Sequence, residues 1–165
     1  DPVIIQTDKK RLIDEASSFQ TISLLEGSTS RGTSRSVKML GIGVGGKTGT
    51  TNNSKDNWFI GVSPNIVVGT YMGYDIPKSL GKNIYSSSTT VPMYINFMKK
   101  IRQDFKNDQF KIPDTILIVK IDPATGQYSN ESKTIDEFFK VHQITIPLED
   151  KIKDRSDKEN LGSVY

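Results

Sequence analysis

The chain has 165 residues, of which 35% are apolar and 25% charged, enough for one moderate hydrophobic core. Its 22 Lys and Arg against 19 Asp and Glu leave a net charge of +3. The charges are interleaved along the chain, which argues against a basic nucleic-acid stripe. There is no cysteine, so disulfides, thiolate zinc sites and a cysteine nucleophile are excluded. The lone histidine, His142, rules out a His-based metal cluster and gives a Ser-His-Asp triad little support. No apolar run approaches the ~20 residues that span a bilayer. The chain starts at Asp1 with no signal peptide, and reads as a processed product or a piece of something larger.

In chain order, Val3 to Ile5 and Arg11 to Ile13 flank polar Thr7-Asp8-Lys9-Lys10 and predict a hairpin. Asp14 caps a predicted helix to about Glu26, with Ala16, Phe19, Ile22 and Leu25 at helical spacing and Gly27 as its C-cap. A Gly-, Thr- and Ser-rich stretch, 28–36, leads into Gly41-Ile-Gly-Val-Gly-Gly-Lys-Thr-Gly-Thr-Thr-Asn52. Residues 58–62 and 66–72 read as strands joined by the turn Ser63-Pro64-Asn65, an antiparallel hairpin. A second helix opens at Thr90 with Pro92 in its first turn and Tyr94, Met98, Ile101 and Phe105 as its apolar stripe. Residues 115–121 form a strand that ends in the turn Asp122-Pro-Ala-Thr-Gly126, and 149–160 read as a charged, disordered tail. Helix, strand, strand, strand, helix is an α+β order, an antiparallel sheet flanked by helices.

Gly41 to Thr48 matches every fixed position of a phosphate-binding loop, Gly-x-x-x-x-Gly-Lys-Thr. That loop must feed a helix whose N-terminal amides hold the phosphates. Here Thr-Gly-Thr-Thr-Asn-Asn-Ser follows Lys47, a poor helix former, and a hairpin comes next. The other reading takes Lys47-Thr48-Gly49 as an edge strand. Thr48 and Thr50 then share one face and Lys47 and Gly49 the other. An ammonium, a hydroxyl and free backbone donors along such an edge suit a peptide carboxylate and an oxyanion.

Arg31-Gly32-Thr33, Gly46-Lys-Thr-Gly-Thr-Thr-Asn52, Asp56-x-Trp58-Phe59-x-Gly61, Gly69, Gly73-Tyr74-Asp75 and Leu80-Gly81 occur in one order, followed by the helix with Pro92, Phe97 and Met98. As a set, over residues 1 to about 125, this resembles the C-terminal part of the transpeptidase domain of class A penicillin-binding proteins. The Leu161-Gly162-Ser163-Val164-Tyr165 end is similar to the C-terminus of such proteins. The resemblance implies a partial beta-lactamase-like fold, with 1–110 as transpeptidase domain, 111–148 as an extension of short strands and 149–165 as tail. It implies no cofactor, and it implies peptidoglycan stem peptides and beta-lactams as partners of the intact protein. It further implies an upstream glycosyltransferase domain and an anchor holding the protein at the periplasmic face of the inner membrane.

The family's motifs run Ser-x-x-Lys, Ser-x-Asn, Lys-Thr-Gly. Neither of the first two lies ahead of Lys47. Ser79-Leu-Gly-Lys82 and Ser63-Pro-Asn65 match by pattern but lie downstream, in the wrong order, and Gly81 disfavours the helix a nucleophile motif opens. By resemblance, Lys47 supplies charge near the substrate carboxylate and Thr48 donates its hydroxyl to it. Gly49 leaves room for the substrate. Thr50 gives its N–H to the oxyanion hole, and its hydroxyl is a second donor to the carboxylate. Such a piece is expected to be inert alone and to self-associate through its truncated sheet. Two other functions fit parts of the sequence, a nucleotide-binding module on Gly41 to Thr48 and a non-catalytic module that binds cell wall or a partner along a strand edge.

Overall fold

The computed structural model describes residues 10–101 and 108–143. These fall into two compact units that divide between Pro113 and Asp114.

The first unit begins with helix α1, Glu15–Ser30. Asp14 is its N-cap, its carboxylate accepting from the Ser17 amide at 2.8 Å. Val3 to Ile5 lie outside the described residues, and Arg11 to Ile13 form no strand. Arg11 instead reaches Glu15 one turn ahead, at 2.9 Å, as part of the approach to the helix. The helix also runs past Gly27. Its last turn is held from outside, because Thr29 is buried with its hydroxyl between the carbonyls of Glu26 and Val44, which share its one proton. The helix stops at Arg31, whose amide accounts for the Gly27 and Ser28 carbonyls. Ala16 and Phe19 are buried and Ile22 and Leu25 half-buried, as their spacing predicts.

A 3-10 turn, Arg35–Leu40, buries Val37 and Leu40 and closes on Gly41 in a left-handed conformation, φ 68°. Three antiparallel strands follow in spatial order: β1, Gly45–Thr50; β2, Asp56–Val62; and β3, Val67–Gly73. The predicted hairpin is β2–β3, with Trp58 opposite Tyr71 and Val62 opposite Val67. Helix α2, Thr90–Ile101, carries Pro92 in its first turn and buries Val91, Tyr94, Ile95 and Met98. Phe105 lies outside the described residues. Together with Val37, Leu40, Val44 and Phe59, the α2 side chains make the core. The α+β expectation holds for this unit.

Only one face of the sheet carries that core. Gly46 and Gly61 sit opposite each other. A Cβ on Gly46 would lie 2.5 Å from Phe59, and one on Gly61 would lie 2.4 Å from the Tyr94 ring. The two glycines make a flat bed for the rings, which meet edge to face at 4.9 Å. The other face leaves Trp58, Ile60, Val67 and Tyr71 exposed.

The second unit pairs β4, Ile116–Ile121, with β5, Ile135–Lys140, antiparallel. The predicted turn at Asp122 is present, its carboxylate accepting from Ala124 and its carbonyl from Gly126. Strand β5 falls in the stretch expected to hold short strands, but its own residues give no clear strand pattern, because the Asp136-Glu137 pair depresses the signal. The charged 149–160 stretch lies outside the described residues.

Tyr94 is fully buried and its hydroxyl has no hydrogen-bond partner among the described residues. Burial pushes its pKa up to about 12. A phenol is neutral when protonated, so the folded state holds this proton more tightly than the unfolded chain. Its contribution is complete below pH 10.0 and is lost as pH rises from there towards about 12. Tyr94→Phe is expected to keep neutral-pH stability within about 1 kcal/mol. Thermal melts should show the variant losing less stability than the parent across that alkaline window.

Candidate functional site

Lys47, Thr48, Gly49 and Thr50 all lie on β1, which pairs only with β2 among the described residues. An antiparallel strand alternates residues that bond its neighbour with residues whose amide and carbonyl point away. Thr51 donates to the Asp56 carbonyl at 3.0 Å, so 51 and 56 are a bonded pair. Counting back along the register, residues 45, 47 and 49 bond β2, and 46, 48 and 50 turn outward. The other side of β2 gives the same phase. Ser63 donates to the Ile66 carbonyl at 3.0 Å, which assigns 57, 59 and 61 to β3 and leaves 58, 60 and 62 for β1. The amides of Thr48 and Thr50 therefore face the open margin of the sheet.

Side chains follow the strand period. Thr48 and Thr50 share the α2 face with Phe59 and Asn57, and Lys47 and Gly49 share the face of Trp58 and Ile60. Lys47 is exposed, and its ammonium donates to the Thr48 carbonyl at 2.8 Å, which sets the charge on the outer margin. The Thr48 hydroxyl lies 3.2 Å from that of Thr33, so the Arg31-Gly-Thr33 segment reaches this strand. Thr50 Oγ1 lies 2.9 Å from Ser86 Oγ, at the 3-10 turn Ser86–Ser88 that precedes α2.

The chain is 41% identical over 164 residues to penicillin-binding protein 1A of Rickettsia conorii, and 44% identical over 157 residues to that of Rickettsia felis. These matches cover 98% and 94% of the chain. The crystal structure of penicillin-binding protein 1A from Haemophilus influenzae matches with a TM-score of 0.72 at 30% identity, over 83% of the chain and 22% of that structure. The chain belongs to the penicillin-binding protein 1A family. It spans about a fifth of the length of its curated relatives, 21% and 20% for the two from Rickettsia. No family model matches it.

Against that family's motif order, the two downstream lookalikes are occupied otherwise. Ser63 spends its hydroxyl on the Ile66 carbonyl in the β2–β3 turn, and Asn65 donates to Asp108. Ser79 opens no helix, and its hydroxyl accepts from the Gly81 amide at 3.2 Å, with Gly81 at φ 130°. The phosphate-loop reading also fails on geometry, since Lys47 is mid-strand and only a three-residue 3-10 turn, Asn52–Ser54, separates β1 from β2. Trp58 lies on the exposed sheet face and Phe59 in the core. Ser86 was not visible in the sequence. It is one serine in a Ser-Ser-Ser run, and only the packing of its turn on β1 distinguishes it.

A strand in this position has no amides converging on a phosphate. Millimolar Mg-ATP is expected to leave the melting temperature of the chain unchanged, with or without Lys47→Ala. A shift that Lys47→Ala removes would restore the nucleotide reading.

Proposed function

We propose that this chain is the Lys-Thr-Gly part of a serine DD-transpeptidase that cross-links peptidoglycan stem peptides, and that it is inert on its own. The observation that carries the reading is the outward phase of the Thr48 and Thr50 amides beside the Lys47 ammonium on an open strand margin. An incoming acyl group docked along this margin meets, in order, a cation, a hydroxyl and a backbone donor.

In this reading Lys47 draws in the terminal carboxylate of the stem peptide. The Thr48 hydroxyl, already within reach of Thr33, orients that carboxylate. Gly49 lets the peptide lie close to the strand. The Thr50 N–H is one arm of the oxyanion hole, the other arm being the amide of the attacking serine. The Thr50 hydroxyl faces Ser86 rather than the margin, so the amide is the part of Thr50 that serves the substrate. The serine adds to the carbonyl of D-Ala–D-Ala, the tetrahedral oxyanion collapses, and D-Ala leaves with a proton. The amine of a neighbouring stem then displaces the serine. Beta-lactams acylate that same serine. Residues 1–110 belong to the transpeptidase domain, 111–148 to an extension and 149–165 to a tail. The intact protein works at the periplasmic face of the inner membrane, with a glycosyltransferase domain upstream.

No Ser-x-x-Lys or Ser-x-Asn precedes Lys47 here. One oxyanion arm alone forfeits roughly 3 kcal/mol of transition-state stabilisation, and without the nucleophile there is no acyl transfer. A fluorescent penicillin is therefore expected to label the longer protein that contains this chain, stoichiometrically, and to leave the isolated chain unlabelled. Lys47→Ala in the longer protein should slow labelling roughly a hundredfold. A stoichiometric adduct on Ser79 of the isolated chain would overturn the assignment.

The exposed face of Trp58, Ile60, Val67 and Tyr71 supports a second element of the proposal, that the isolated chain self-associates. Sedimentation at rising concentration should show dimers or larger species. A monomer throughout would remove this element and leave the catalytic one standing.

A further inference from the structure

We infer that Ser86 is a positioning residue for the oxyanion hole, acting through the peptide unit that joins Gly49 to Thr50. The inference rests on the reading of the Thr50 amide as an oxyanion donor.

The Gly49 carbonyl and the Thr50 N–H belong to one trans peptide plane, so they point in opposite directions and turn together. The carbonyl faces inward with the bonded residues of β1, and the N–H faces the open margin. An edge strand has no partner on its outer side to hold that plane. Ser86 holds it from the inner side, its hydroxyl donating to the Gly49 carbonyl at 2.6 Å.

Proton accounting makes the contact directional. A carbonyl only accepts, so the single Ser86 hydroxyl proton goes to Gly49. The 2.9 Å contact between the Ser86 and Thr50 hydroxyls must then be donated by Thr50. The Ser86 amide returns a bond to Thr50 Oγ1 at 3.4 Å. Residues 49 and 50 are thus gripped on both sides of their shared peptide, and the Thr50 hydroxyl proton is committed inward.

The grip is on a rigid mount. Ser86 is 1% exposed. Its turn leads directly into α2, whose start is tied to the sheet twice. Asn57 donates to Thr89 at 3.0 Å, and Thr70 donates to the Thr90 carbonyl at 2.9 Å. A hydrogen bond accepted at the Gly49 carbonyl also polarises the peptide and makes the Thr50 N–H a stronger donor. Both effects matter most when negative charge develops on the substrate oxygen, and little when the substrate merely binds.

The test uses the longer protein that contains this chain, with a fluorescent penicillin as probe, and separates the noncovalent dissociation constant from the first-order acylation constant. Ser86→Ala should lower the acylation constant about tenfold, less than outright loss of an oxyanion donor, and leave the dissociation constant within about twofold. Ser86→Cys, nearly the same shape with a weaker donor, should fall between parent and Ser86→Ala, and it serves if the alanine variant does not fold. Ser88→Ala is the control for a loosened turn. Ser88 exchanges its hydrogen bonds with Tyr85 in the same turn and makes none to β1 among the described residues, and its loss should change acylation by less than about twofold. An unchanged acylation constant in both Ser86 variants would overturn the inference. So would a loss confined to the dissociation constant, or equal losses for Ser86→Ala and Ser88→Ala. If the parent itself is not acylated, the transpeptidase reading falls and this inference falls with it.

Discussion

The phase of the β1–β2 hydrogen bonds is the constraint on which the rest depends. Because strands alternate with a period of two, a slip of one residue would turn the Thr48 and Thr50 amides inward and carry Lys47 onto the α2 face. What forbids the slip is packing. Gly46 and Gly61 face each other beneath Phe59 and Tyr94, where neither can carry a Cβ without a contact of 2.5 Å or less. Shifting β1 one way would set Lys47 in that bed, and shifting it the other way would keep a glycine there, Gly45, but place Lys47 opposite buried Phe59 on the apolar face. Small residues thus set the register, and the register sets the direction of the backbone donors.

A second layer of control is polar and lies on the α2 face. Thr33, Thr48, Thr50, Asn57, Ser86, Thr89 and Thr90 come from four separate stretches of chain, and hydrogen bonds link them in pairs and threes around β1 and the start of α2. Threonine and serine suit this role because they give a donor and an acceptor on a short side chain that packs against a sheet. Each bond contributes only about 1 kcal/mol to stability. Their larger effect is geometric, since they leave β1 and the turn before α2 few ways to sit against one another.

One run of residues, Gly41 to Thr50, satisfies two motifs with opposite structural demands. A phosphate loop needs its amides to converge and a helix to follow. An edge strand needs its amides to alternate along a line. β-Branched Thr48, Thr50 and Thr51 favour the second. Packing of β1 along α1, anchored by Thr29 on the Val44 carbonyl, completes the choice.

Much was legible from local chemistry. The strand character of Lys47 to Thr50, the β2–β3 hairpin, the Asp14 cap and Pro92 in the first turn of α2 follow from side-chain shape and spacing, which act within a few residues. So does the family, because its motifs are short and ordered. The end of α1 beyond Gly27, the missing strand at Arg11 to Ile13, the acidic strand β5 and the grip of Ser86 were not. A glycine inside a helix, or a serine in a serine run, carries no local signal of its role. Thr29 is placed by a carbonyl 15 residues away and Ser86 by one 37 residues away. Such long-range contacts outweigh propensities worth about 1 kcal/mol or less per residue, and they exist only once the chain has folded.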